Sequence, residues 1–363
     1  MVFQWYLFVL LIFVAIFATV TGQRYLVDSY GQKEIRYTWL PALIILFPLV
    51  YLAATRTNSF GDTSAYRSMF ANYPSTLAEL PNVLASNVKD DGFVIFSVFV
   101  KSIIGNRVEL FFGIIAFICL YLTIKTFRRY SCNFIMTMFL FIASGDYVQW
   151  THNGMRQFIA VAMVFGATKL LLDKKYLYYF LIVLLAYTIH ASVLIMIPIS
   201  IVVQGKAWNF KTVIFLLGVL LAISFAEEFT TLIVDLMGST QYSGEIDQFL
   251  GTEGTNMLRV LVFSIPTLMS LFFRRQINQS NNKLIELSSN MSIASMGAYI
   301  VSAYTSGIFV GRMPIYFSLY NYILLPWLVE TFFEKRSAYL IYSAVIICYL
   351  VFYYYQIVVT WGL

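Results

Sequence analysis

The sequence predicts an all-α, polytopic helical integral membrane protein with about 12 membrane segments, and three observations carry that prediction. Hydrophobic residues make up 60% of the 363 residues and charged residues only 12%, with a mean hydropathy of +0.76, a balance far from that of soluble domains. Apolar runs of about 20 residues, the length of a membrane-spanning helix, recur from end to end. The charges gather in the breaks between runs, as expected of helices that satisfy their own backbone hydrogen bonds inside a bilayer.

The first run, MVFQWYLFVLLIFVAIFATVTGQ, has no basic leader before its apolar stretch and no small-x-small cleavage site after it. It reads as a retained helix over 3–20 and not as a signal peptide. The second span is 39–55. Residues 56–106 then form a loop too long for a tight turn. Within it GFVIFSVFVKSIIG carries Ser97 and Lys101 at helical spacing, which suits a helix lying on the outer leaflet or a loop helix packed on the bundle. Spans 107–124 and 132–147 follow. The fifth, 155–172, starts in a polar stretch, DYVQWTHNGMRQF.

The stretch YLYYFLIVLLAYTIHASVLIMIPISIVVQ is either one long helix or two short ones, 176–189 and 191–204, folding back at His190. Charge decides. One helix would place QGKAWNFK and FFRRQINQSNNK outside and the acidic stretch 227–256 inside, inverting the usual lysine and arginine bias. A hairpin puts all but eight of the 24 lysines and arginines on the cytoplasmic side, and both termini outside. Span 211–226, a second long outer loop over 227–256, and spans 257–273, 284–306, 313–333 and 337–358 complete a single polytopic domain, 1–363.

The net charge of +6 reflects this topology and gives no reason to expect a nucleic-acid partner. The three cysteines, Cys119, Cys132 and Cys348, lie in or beside apolar runs, with no disulfide or zinc spacing. Neither an internal repeat nor a low-complexity tract is present.

The eight basic residues outside the cytoplasmic set are Arg56, Arg67, Lys89, Lys101, Arg107, Arg156, Arg259 and Arg312. Four of them, Arg56, Arg156, Arg259 and Arg312, sit at outer ends of membrane helices. A guanidinium's planar fork matches phosphate oxygens two at a time and stays charged in a poorly hydrated site, so this layer suits an anionic lipid head group. Arginines at helix ends also simply snorkel to the interface. Against snorkelling, these abut polar clusters: Arg156 follows His152 and Asn153, Arg312 precedes Tyr316, and Arg56 precedes NSFGDTSAY.

His190 stands between two apolar half-helices, where an imidazole needs hydrogen-bond partners or a polar cavity. His152 also reads as an ordinary interfacial residue, and Asp62 as the cap of a loop helix. Ser288, Ser292, Ser295, Tyr299, Ser302 and Ser306 share one helical face, a pattern that favours close helix packing over a substrate path. The outer acidic residues are scattered without ligand spacing, so neither a metal nor another cofactor is expected.

Four segments, TRTNSFGDTSAY, HNGMRQFIA, LAYTIHASVLIMIP and GRMPIYF, taken in order, resemble the Wzy-type polysaccharide polymerases of O-antigen and exopolysaccharide synthesis, in particular the EpsG-like branch. The resemblance covers nearly the whole chain. It places the family's first-loop arginine on Arg56, its Gly-Asp-Thr-x-x-Tyr on Gly61, Asp62, Thr63 and Tyr66, its Arg-Gln on Arg156 and Gln157, its membrane histidine on His190 and its late arginine on Arg312. His152 stands where the family often has a small residue.

The resemblance implies a multi-pass enzyme of the bacterial cytoplasmic membrane that joins undecaprenyl-pyrophosphate-linked repeat units at the outer face. Arg56, Arg156, Arg312 and Arg259 would bind pyrophosphate, Asp62 or His190 would serve as base, and Asn153, Gln157, Tyr66 and Tyr316 would support the site. The implied partners are the lipid-linked oligosaccharide, membrane lipid, and a chain-length regulator and flippase of the same pathway. A polyprenyl-phosphate-dependent glycosyltransferase and an O-antigen ligase are the enzymatic alternatives. A lipid-linked oligosaccharide flippase is the alternative of another class, against which stand the absent repeats and the charge at one leaflet.

Overall fold

The computed structural model describes residues 4–29, 32–58, 61–85, 90–238, 244, 246–251 and 253–362, with the side chains at 28, 29, 32, 33, 237, 248 and 249 left out. Ser59 and Phe60 of the first-loop motif, Lys89, Glu245 and the Lys33 side chain thus lie outside the described residues. Helix accounts for 78% of the structure, and the protein is an all-α membrane protein. The chain forms two compact units, one of Met1–Leu194 with Val329–Leu363 and one of Ile195–Leu328.

The first unit opens with α1 (Trp5–Val20) and a hairpin of β1 (Arg24–Ser29) and β2 (Gln32–Tyr37), where the sequence suggested only a cytoplasmic loop. Arg36 pins the hairpin by donating to the Ser131 carbonyl and pairing with Glu34. Arg128 donates to the Tyr37 carbonyl at 2.8 Å. Two residues of the basic set therefore work as intramolecular staples. Next come α2 (Trp39–Ala54), α3 (Thr63–Asn72), α4 (Leu80–Leu84), α5 (Asp91–Ile104) and α6 (Val108–Tyr130). Glu109 in its first turn and Arg128 and Arg129 in its last complement the α6 dipole, and α6 packs against α2.

The run predicted over 132–147 is broken. α7 (Phe134–Ala143), capped by the Asn133 side chain, gives way at Gly145 (φ +79) to α8 (Asp146–His152). Gly154 (φ +88) then separates α8 from α9 (Met155–Gly166), and α10 (Thr168–Leu172) and α11 (Tyr176–Tyr187) follow. Both glycines sit in the left-handed region that side chains avoid, so an apolar run is divided where its backbone must turn. α9 packs on α6 and on α11. The predicted break at His190 is present, with α11 ending at Tyr187 and a 3-10 turn over Ala191–Ile195.

The second unit contains α12 (Met196–Val202), α13 (Phe210–Ser224), α14 (Ala226–Gly238), α15 (Ile246–Leu250), α16 (Met257–Phe272), α17 (Arg274–Gln279), α18 (Lys283–Ala303) and α19 (Ile315–Ser318). Three of these starts are set by asparagine caps, at Asn209, Asn256 and Asn282. The stretch read as the loop 227–256 includes α14 and α15. The serine face of α18 is buried against α16, where the Thr267 and Ser292 hydroxyls lie 2.7 Å apart. α20 (Asn321–Phe332) leads back into the first unit and to α21 (Lys335–Tyr354), which packs on α7.

Among the described residues, two helices are long and apolar enough to cross a membrane alone, α6 and the stretch Lys335–Thr360. A third would be α13 taken with α14, which are bent by 97° to each other. Seven further apolar helices have 10–17 residues. Of the predicted runs, 132–147, 155–172 and 313–333 are each divided between two helices, and most of the others are single helices.

Candidate functional site

The candidate residues of the first unit converge on the α8–α9 junction. Gly61 (φ +61) lies so close to it that a Cβ there would be 2.8 Å from the Asn153 Cβ and 3.0 Å from the His152 carbonyl oxygen. Asp62 occupies the N-cap position of α3, its half-buried side chain making no capping hydrogen bond. One turn on, the buried Tyr66 hydroxyl accepts from Nε of Arg156 at 3.3 Å. Gln157 is buried in the same junction.

Arg156 also donates through Nη1 to Oδ2 of Asp90 at 2.8 Å. Its guanidinium lies 5.8 Å from the ring centroids of both Tyr66 and Phe93. The Arg156 side chain remains 31% exposed while that of Asp90 is 3% exposed. Snorkelling into lipid head groups is a poor description of a side chain held by a carboxylate and a phenol.

Arg56 has a different environment. It is buried, its guanidinium 3.7 Å above the Phe112 ring, donating to the Thr151 carbonyl and to the Met155 sulfur. Arg67 donates to the Arg56 carbonyl at 3.1 Å and to Glu109 at 2.9 Å. Arg56 thus ties the end of α2 to the two sides of the α8–α9 junction. His152 is buried beside it, its Nδ1 2.8 Å from the Thr151 hydroxyl.

α5 supports this cluster from both ends. Lys101 is buried and its ammonium donates to the carbonyls of Phe70 and Ala71, both at 2.8 Å, and to that of Tyr73, which would otherwise be orphaned at the end of α3. Ser97 is also turned inward, and Ile95, Phe99 and Ile103 form the outward face. At the other end Gly92 donates its N–H to the Thr188 carbonyl at 2.8 Å, two residues before His190. His190 is half-buried, with the Ser192 N–H donating to its Nδ1 at 3.5 Å.

Asp90 and Tyr73 are site residues that the sequence reading missed. An acidic residue before an apolar helical run is a start signal that could have marked Asp90 as a cap, though nothing local indicates its partner Arg156. Tyr73 lies within electrostatic reach of Arg156, Tyr66 and Asp90. Burial raises its phenol above the ordinary value, against the pull of Arg156.

The second unit holds Arg259, Arg312 and Tyr316. Arg259 lies over Phe263 at 4.8 Å and near Tyr299 at 5.8 Å. Arg312 stands in a half-buried 3-10 turn, Val310–Arg312. Its neighbour Gly311 leaves room for the Thr255 hydroxyl, 2.5 Å from where a Cβ would be. Tyr316 is buried in α19. Among the described residues no group of three or more His, Cys, Asp or Glu side chains is arranged to hold a metal ion.

The family model that matches this chain is described as the EpsG family and spans residues 39–361. No curated protein and no solved structure matches it.

Proposed function

The chain belongs to the EpsG family, membership that supports a polysaccharide polymerase role in general, and from that premise we propose that it polymerises undecaprenyl-pyrophosphate-linked repeat units at the outer face of the cytoplasmic membrane. The observation that supports this reading best is Arg156. Its guanidinium is oriented by Asp90 and Tyr66 on a partly exposed side chain, at the junction that Gly61 approaches.

In this reading a hydroxyl of the acceptor sugar attacks the anomeric carbon of the donor glycan. The bond from that carbon to the diphosphate oxygen breaks and its electron pair stays on the oxygen. Arg156 meets the charge that develops there. Arg56, engaged within the protein, holds the junction in place. Asn153 and Gln157 support the site.

The acceptor proton goes to Asp62, whose carboxylate makes no hydrogen bond or ion pair among the described residues. His190 suits the base role less well. With Nδ1 accepting from Ser192, the neutral ring carries its proton on Nε2 and would donate there.

Deletion tests the reaction class: surface glycan arrested at a single repeat unit supports polymerisation, whereas loss of that glycan would indicate a flippase and overturn the proposal.

A further inference from the structure

We propose that Asp90 is a resident counter-charge that weakens the hold of Arg156 on a lipid diphosphate so that the spent diphosphate can leave. This rests on the polymerase reading above and gives the same site a means of release.

Two features of the site carry the inference. The pair is asymmetric, because Asp90 is 3% exposed and Arg156 31%, so the carboxylate stands behind the guanidinium and an incoming anion meets the arginine first. Asp90 is also fixed by its backbone. It has φ 59 and ψ 58, its carbonyl accepts from Phe93 and Val94 at 2.8 and 3.2 Å, and two residues on Gly92 is tied to Thr188. With its backbone anchored and its side chain buried against Arg156, the carboxylate stays close to the guanidinium when an anion binds, and its charge opposes that anion at short range. The other charged groups on α5 are Asp91, exposed in its first turn, and Lys101, in its last turn and committed to the carbonyls of α3.

The chemistry supplies the need. The donor is a diphosphate diester, glycan on one side and lipid on the other. When the anomeric C–O bond breaks, its electron pair remains on the phosphate oxygen, so the released lipid diphosphate is a monoester with one more negative charge. An uncompensated guanidinium would bind the product more tightly than the substrate. A fixed like charge behind it penalises the more highly charged product most.

The test is equilibrium binding of farnesyl diphosphate, which carries the product's head group, to the full-length protein in detergent, together with steady-state turnover. Asp90→Asn, which suits a left-handed backbone, should bind the probe about tenfold or more tightly and lower both KM and kcat. Asp90→Glu should return towards wild type. Should Asp90→Asn not fold, Asp90→Gly removes the carboxylate and accepts the same φ. Unchanged or weaker probe binding in the neutral variants, while Arg156→Ala loses the probe, would leave the Arg156 reading intact and overturn the role of Asp90. Unchanged binding in Arg156→Ala would instead overturn the Arg156 reading and this proposal with it.

Discussion

Arg56 and Arg156 bring the same group into different surroundings, and substitution should separate them. Arg156→Lys keeps the charge but loses the planar fork. Polymer formation should fall about tenfold or more, consistent with loss of a charge-assisted contact of roughly 1.5–3 kcal/mol, while the melting temperature and membrane level stay close to wild type. Arg312→Lys should behave likewise. Arg56→Lys, with its two donors engaged across the α8–α9 junction and its plane over Phe112, should instead destabilise the protein by a similar roughly 1.5–3 kcal/mol, visible as a lowered melting temperature. Near wild-type chain length from Arg156→Lys and Arg312→Lys at matched expression would return both to the role of interfacial anchors. Asp62 has its own contrast: Asp62→Asn should abolish polymer and leave farnesyl diphosphate binding intact, since a base and a diphosphate contact are different roles. Equal loss of binding would contradict that assignment.

At the scale of the element, α5 is the strap that holds the first outer loop. Its sequence shows Ser97 and Lys101 as a polar stripe, and either orientation of that stripe fits a helix at the membrane surface. The structure turns it inward, where Lys101 supplies the donors that the carbonyls at the end of α3 need. Lys101→Met should leave those carbonyls unmet, cost about 1–3 kcal/mol and speed hydrogen exchange in α3. Protection of α3 equal to wild type would mean that water replaces the ammonium without loss. At the other end, a Cβ on Gly92 would lie 2.2 Å from the Thr188 hydroxyl and 2.8 Å from its carbonyl oxygen. Gly92→Ala should therefore shift α5 off the end of α11, costing about 1–3 kcal/mol and lowering polymer formation through Asp90. Full activity and stability in that variant would show that the contact is not needed.

For the whole molecule, the charge bias makes a prediction about sidedness. In a background lacking Cys119, Cys132 and Cys348, a cysteine at Gly205 should resist an impermeant thiol reagent in intact cells while one at Gly251 reacts. Equal labelling of the two would sink the hairpin at His190 and the topology built on it. Arginines in the cation's role also predict that purified enzyme supplied with lipid-linked repeat units keeps its activity in excess chelator. Loss restored by magnesium or manganese would favour the metal-using glycosyltransferase.

The sequence by itself determined the class of this protein, because transfer of side chains into a bilayer is close to a sum over residues and composition reports that sum directly. It also picked out Arg156, Asp62, Tyr66 and His190, since polar residues in apolar surroundings are conspicuous wherever they fall. Which arginine is buried and which half-exposed, where Gly145 and Gly154 divide the helices, and that Asp90 faces Arg156 were decided only by tertiary structure. Hydropathy carries no record of a partner 66 residues away, and the left-handed backbone that turns a helix aside is a property of φ and not of polarity. The pairing of Asp90 with Arg156 depends on α5 being pinned between the end of α3 and Thr188, and those contacts exist only once the chain has folded.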